Sequence, residues 1–315
     1  MTEFPTINDI RKAAERIQPY AHRTPVLTNQ TINSLLGAEI FFKCENMQKV
    51  GAFKFRGACN AVMSLSEADA ARGVTTHSSG NHAQALALAA KLRGIPAYIV
   101  MPENAPAVKK AAVAGYGADI TFCTPTLEAR ESTLAKVAEK TGAAFVHPYN
   151  DFRVITGQAT ASLELFADAG DLDIVMAPVG GGGLLSGTAL TVNAISPSSK
   201  VIAGEPMGAD DAYRSLQKGE IIPSINPQTL ADGLLTSLGD KTFAIIKQYV
   251  SEIATVSEDA MIHAMRLVWE RMKVVIEPSA AVPLGALLEK KVAVDGKKVG
   301  IIFSGGNVDL GKLPW

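Results

Sequence analysis

GVTTHSSGNHAQALALAAKLRGIPAYIVM, residues 73–101, decides the fold. Its run Val74 to His77 is rich in β-branched residues and reads as a strand, and His82 to Arg93 is an alanine- and leucine-rich helix former. Gly94-Ile-Pro breaks that helix, and Ala97 to Met101 reads as strand again. The pattern continues outward. Pro106 to Ala114 reads as helix, Ala118 to Cys123 as strand, Thr126 to Thr141 as helix and Ala143 to Val146 as strand. Next come a helix from Arg153 to Ala169, a strand from Asp173 to Ala177, a helix from Leu184, a strand from Val201 to Gly204, and further pairs ending in the strand Val299 to Phe303. Upstream, Glu39 to Cys44 reads as a strand and Arg23 to Leu27 as extended chain. Thr6-Ile-Asn-Asp9 caps a packing helix that runs to Pro19. Such alternation predicts an α/β fold with a largely parallel sheet.

At 315 residues the chain is long enough for two domains, and turn-rich places near 70 and 150 are the expected borders. Apolar residues make up 47% and charged ones 19%, a soluble globular composition. Thirty basic and 31 acidic residues give a net charge of -1, with no basic patch for nucleic acid and no polybasic membrane segment. The apolar helical run Ala83 to Leu92 is too short to span a bilayer, and MTEFPTINDI lacks the basic and apolar regions of a signal peptide. A cytoplasmic location is expected. Cys44, Cys59 and Cys123 are odd in number with no CxxC spacing, so they are expected as buried small hydrophobes.

Four stretches carry chemistry. In VGAFKFRGA, 50–58, Lys54 lies between Phe53 and Phe55, with Gly51 and Gly57 on either side. Burial there would lower the lysine pKa and leave an amine able to form a Schiff base. The same residues also read as an amphipathic helix start, with Lys54 and Arg56 in solvent. Ser78-Ser-Gly-Asn-His82 opens a helix after a strand, as an anion site or as a capped turn. PVGGGGLLSG, 178–187, is more specific, because four consecutive glycines between strand and helix leave unshielded N–H groups at the positive end of the helix dipole. Ordering each glycine costs roughly 0.5–1 kcal/mol, a poor choice for a purely structural turn. With Gly181 and Gly183 as the first two glycines the third fingerprint position holds Ser186, so the dinucleotide pattern of a nicotinamide dehydrogenase fails, and no GK[ST] follows for a Walker loop. Phe303-Ser-Gly-Gly-Asn307 places the Ser304 hydroxyl at a strand end. A lysine, an anion loop, a phosphate cradle and a strand-end hydroxyl together describe a pyridoxal 5'-phosphate site.

Over nearly its whole length the chain resembles the serine racemase and serine/threonine dehydratase family of fold-type-II pyridoxal phosphate enzymes. The resemblance is carried by GAFKFRGA (51–58), SSGNHAQA (78–85), PVGGGGLLSG (178–187), ADGLLTSLG (231–239), EPSAA (277–281) and FSGGN (303–307). It implies a tryptophan synthase β-like fold of two open, largely parallel twisted sheets flanked by helices. A small domain, 71–149, would be inserted in a large one, 1–70 and 150–315, within a homodimer. By the same resemblance Lys54 forms the Schiff base, Phe53 lies beside the cofactor ring and Asn81 bonds its phenolic oxygen. Gly180, Gly181, Gly182 and Gly183 would hold the phosphate, Ser304 would meet the pyridine nitrogen, and Ser78, Ser79, Gly80, Asn81 and His82 would hold the substrate carboxylate. Ser79 matches the serine of racemase-like members, a second acid/base on the face opposite Lys54. Glu205, Ala209 and Asp211 match a divalent-cation site, two carboxylates and a backbone carbonyl suited to Mg²⁺, Ca²⁺ or Mn²⁺. No C-terminal regulatory domain is expected, since the chain ends soon after FSGGN.

The resemblance implies a racemase acting on serine that also eliminates water and ammonia from L-serine or L-threonine. One departure bears on the substrate. Tyr149-Asn150 follows His147-Pro148, where animal serine racemases have an asparagine directly after the proline. Relatives with an HPY-type sequence include dehydratases acting on 3-hydroxyaspartate, and Arg153 is either a partner for a second carboxylate or a surface charge. The alternatives are therefore an L-threo-3-hydroxyaspartate ammonia-lyase on the same scaffold and a catalytically silent cofactor- or amino-acid-binding protein.

Overall fold

The computed structural model describes residues 3–315. Its strands are β1 Val26–Leu27, β2 Glu39–Cys44, β3 Val74–His77, β4 Ala97–Pro102, β5 Asp119–Cys123, β6 Ala144–Phe145, β7 Ile174–Pro178, β8 Lys200–Pro206, β9 Glu252–Val256 and β10 Lys298–Phe303. They form a six-stranded sheet in the order β1-β2-β10-β7-β8-β9 and a four-stranded one in the order β5-β4-β3-β6. Every pairing is parallel except the β1–β2 edge, where the extended chain before Leu27 folds back antiparallel. The expected α/β alternation is present, with most element ends within a residue or two of the sequence reading.

Strand order places the chemistry. β10, the last strand, inserts between β2 and β7, with Val299 opposite both Ile40 and Ile174. Because neighbouring strands are parallel, the residues after β2, β7 and β10 emerge at one edge of the large sheet, the carboxyl edge where open α/β sheets bind ligands. Those residues include the Lys54 stretch, the glycine run and Ser304. Phe42 of β2 stacks on Phe303 of β10 at 4.6 Å between ring centroids, inside the core beneath that edge.

Helix Lys54–Met63 joins the two sheets' cores. Its Phe55, Ala58, Cys59, Ala61 and Val62 pack with Ala83, Leu86 and Ala90 of helix Asn81–Arg93 and with Val74, Ile99 and Met101 of the four-stranded sheet. Its other side meets helix Phe152–Ala169, where a Cβ on Gly157 would stand 2.6 Å from the Arg56 carbonyl. All three cysteines are buried and unpaired, and burial pushes the Cys44 and Cys59 thiols up to about 12. Among the described residues no helix is long and apolar enough to cross a membrane.

Candidate active site

Lys54 is the first residue of its helix, and the turn before it is held to the turn after β10. Phe53 N–H donates to Ser304 O at 3.0 Å, Gly306 N–H donates to Gly51 O at 2.9 Å, and Ala52 bridges Gly305. The Lys54 ammonium donates to Pro148 O at 2.9 Å and sits 5.1 Å from the Phe53 ring centroid. Its surface is only partly covered, yet it lies deep in the fold. Desolvation lowers its pKa to about 8, against the opposing charge of Glu277. An amine in that state is a nucleophile near neutral pH.

Arg56 is not in solvent. It is fully buried, donating to Glu45 at 2.7 and 2.9 Å and to Glu164 at 2.8 and 2.7 Å, while Lys43 donates to Glu164 at 2.6 Å. Two cations and two carboxylates thus neutralise one another below the lysine stretch, and the amphipathic surface-helix reading fails because partners from other elements cover the charge.

The glycine run leads from β7 into helix Gly183–Ile195, whose N-cap, Gly182, has φ +85° and no capping side chain. Side chains are excluded along it. A Cβ on Gly180 would stand 2.8 Å from Leu234 Cα, one on Gly183 would stand 2.7 Å from Gln158 Oε1, and one on Gly181 would enter the Tyr149 ring. Beside it, Gln158 is fully buried with neither amide atom partnered among the described residues. The glycines are themselves packed against the protein's own residues, and it is the uncapped helix N-terminus and the unsatisfied amide beside it that fit an anionic phosphate group.

The Ser78–His82 loop leaves β3 and opens helix Asn81–Arg93, again without a side-chain cap. Ser78 Oγ accepts from Gly80 N–H at 3.3 Å, and Ser79 makes no hydrogen bond among the described residues. The His82 ring is buried, with Nε2 donating to Val146 O at 3.1 Å; burial lowers its pKa to about 3. His82 can therefore serve an anion through its backbone N–H and not through its ring. Ser304 is buried, and its carbonyl is the acceptor for Phe53 N–H.

The sequence reading assigned no role to Glu277. This residue is 4% exposed and accepts from Asn81 Nδ2 at 3.2 and 3.4 Å and from Asn307 N–H at 3.1 Å. Desolvation raises its pKa to about 7. It opens EPSAA (277–281), one of the stretches that carry the resemblance, but by residue type alone it is an acid directly before Pro278 at a helix start, which reads equally as a helix N-terminus.

Glu205 is the next-to-last residue of β8, and its two oxygens accept from Ala212 and Tyr213 N–H at 2.8 and 2.7 Å, capping helix Asp211–Lys218. Ala209 and Asp211 are buried close by, and Asp211 Oδ2 has no hydrogen-bond partner among the described residues. Burial raises Glu205 to about 8 and Asp211 to about 6, and Asp211 adds to the push on Glu205. Arg153 is bound by Asp151 at 2.6 and 3.1 Å and by Phe145 O, so it is engaged at the start of its helix.

These positions meet in a few steps. Lys54 touches Pro148, the next residue, Tyr149, packs on Gly181, and Asn307 links the Lys54 stretch to Asn81. Residues 17–305 match the family model described as pyridoxal-phosphate dependent enzyme. The chain belongs to this family. The enzyme is 54% identical to the serine racemase of Dictyostelium discoideum, over 98% of this chain and 96% of that protein. It is also 54% identical to the beta-hydroxyaspartate dehydratase of Paracoccus denitrificans, over 99% of both. Its fold superposes on maize serine racemase with a TM-score of 0.96 at 47% identity, covering 98% of the enzyme and 95% of that chain.

Proposed function

We propose that the enzyme is a pyridoxal-phosphate dependent serine racemase with L-serine and L-threonine dehydratase activity. The observation that carries this reading is a pair of available proton carriers: Lys54, whose ammonium has a backbone carbonyl as its one hydrogen-bond partner among the described residues, and Ser79, whose hydroxyl has none among them. Pyridoxal phosphate supplies an electron sink that makes the Cα hydrogen of a bound amino acid acidic. The N–H groups of Gly180 to Gly183 would hold the phosphate, Asn81 would offer an N–H to the phenolic oxygen, and the Ser304 hydroxyl would partner the pyridine nitrogen. Backbone N–H groups of Ser78 to His82 hold the substrate carboxylate at the uncapped helix end. Lys54 takes the Cα proton on one side and Ser79 delivers one on the other, which inverts serine; loss of the β-hydroxyl instead leads to pyruvate and ammonia.

Glu205, Asp211 and the Ala209 carbonyl are the proposed holders of a Mg²⁺, Ca²⁺ or Mn²⁺ ion. Two buried carboxylates with raised pKa and an Asp211 oxygen without a hydrogen-bond partner among the described residues support it. We further propose a small domain, 71–149, inserted in a large one, and a cytoplasmic homodimer, since buried unpaired thiols suit a reducing compartment.

Tyr149, packed on the glycine run, favours one second reading, an L-threo-3-hydroxyaspartate ammonia-lyase, and the Paracoccus relative supports it. Arg153 does not, because Asp151 already holds it. A product assay on L-serine, L-threonine and L-threo-3-hydroxyaspartate separates the two. D-Serine and pyruvate from L-serine are expected; oxaloacetate from 3-hydroxyaspartate with no turnover of serine would replace the first reading by the second.

A further inference from the structure

Glu277 is a buried carboxylate with no ion pair among the described residues, an expensive placement that the reaction outlined above leaves unexplained. Its surroundings are directional. Val50 O can only accept, so the group that meets it at 2.7 Å is the amide nitrogen of Asn307. That same nitrogen donates to Asn81 at 2.9 Å, which requires the Asn81 oxygen to face it. The Asn81 nitrogen then points at Glu277, whose carboxylate, ionised above its raised pKa of about 7, can only accept. A reversed Asn81 amide would set oxygen against carboxylate and nitrogen against nitrogen, two repulsive contacts in place of two bonds.

Glu277 is itself fixed. Its N–H donates to Gly305 O at 2.9 Å, Asn307 N–H donates to its Oε2, and a Cβ on Gly305 would stand 2.6 Å from its Oε1, so the glycine makes room for the carboxylate. An amide nitrogen carries two hydrogens. Glu277 takes one from Asn81 and leaves the other uncommitted.

We propose that Glu277 is a positioning residue that locks the Asn81 amide so that it offers an N–H, and not its oxygen, to the phenolic oxygen of pyridoxal phosphate. This rests on the role given to Asn81 above. The donor stabilises the ionised phenolic oxygen, so Glu277 acts on the cofactor's electronic state and affinity without touching it. A glutamine is a poorer partner: with its oxygen kept on Asn307 N–H, its nitrogen takes the Oε1 place and sets a donor against the Asn81 N–H, which loses its shorter contact and keeps only the longer one.

The test uses the visible spectrum and the cofactor dissociation constant of the reconstituted enzyme, with thermal melting of the cofactor-free proteins as the check on folding. Glu277→Gln should move absorbance from the long-wavelength band of the ionised phenolic oxygen to the shorter-wavelength band of the neutral phenol and weaken cofactor binding about tenfold. Asn307→Asp removes the donor that sets Asn81 and should shift the spectrum in the same direction, and it decides the matter if Glu277→Gln does not fold. Asn81→Ala should show the full effect, and adding Glu277→Gln to it should change nothing more. An unshifted spectrum and unchanged affinity in Glu277→Gln, or effects that add in the double variant, overturn the proposal while Asn81→Ala still shifts. No shift in Asn81→Ala would remove the role of Asn81 and the proposal with it.

Discussion

The ammonium of Lys54 is 2.9 Å from the carbonyl of Pro148, and the next residue, Tyr149, lies against Gly181. The amine and the glycine run are therefore joined by two consecutive residues of another segment. This holds the amine at the carboxyl edge of the sheets, where desolvation keeps it easy to deprotonate.

Capture of pyridoxal phosphate by the cofactor-free protein should follow from that. Only the neutral amine forms the bond, and a folded pKa of about 8 gives far more of it at neutral pH than an ordinary lysine near 10.5. The rate of capture should rise between about pH 7 and 9 with a midpoint near 8, read by stopped-flow absorbance; a midpoint above 10 would mean the amine is solvated. Lys54→Ala should lack the imine band and lose at least about 10²-fold of both activities.

The buried cluster below the lysine predicts a stability effect. Arg56→Ala strands Glu45 and Glu164 without their main cation, and breaking a buried pair this way costs about 3–5 kcal/mol. Chemical denaturation should show a loss of that size. A loss below about 1 kcal/mol would mean the cluster relaxes into water.

What the sequence made legible follows the range of each interaction. Local alternation of strand and helix was readable, and so was the glycine run, because its chemistry is contiguous. The split into two sheets was not read from that alternation, since the place of β10 between β2 and β7 depends on contacts such as Phe42 on Phe303. Arg56 has a solvent-exposed reading in the sequence because its partners, Glu45 and Glu164, lie 11 and 108 residues away on other elements, and no spacing rule connects them. The role of Glu277, though the residue opens the quoted EPSAA stretch, stayed hidden for the same reason, its partner Asn81 being 196 residues distant.

Chelation tests the cation site. Metal removal should lower the melting temperature, and added Mg²⁺ should restore it; a ligand at about 100 times its Kd contributes about 2.7 kcal/mol. Glu205→Ala should abolish this response. Identical melting before and after chelation, with no metal by elemental analysis, would contradict the site.

The most direct test of the central claim is the ratio of D-serine to pyruvate formed from L-serine by the unaltered enzyme and by Ser79→Ala. Lys54 can remove the Cα proton alone, and loss of the hydroxyl needs nothing basic on the other side, whereas inversion needs a proton delivered to the opposite face. Ser79→Ala keeps the backbone N–H groups that hold the carboxylate, so KM should change less than stereochemistry. The account predicts both products from the unaltered enzyme, and in Ser79→Ala a fall in D-serine of about 10²-fold or more with pyruvate formation within about threefold of the original. Absence of D-serine from the unaltered enzyme, or equal loss of both products in the variant, would contradict it.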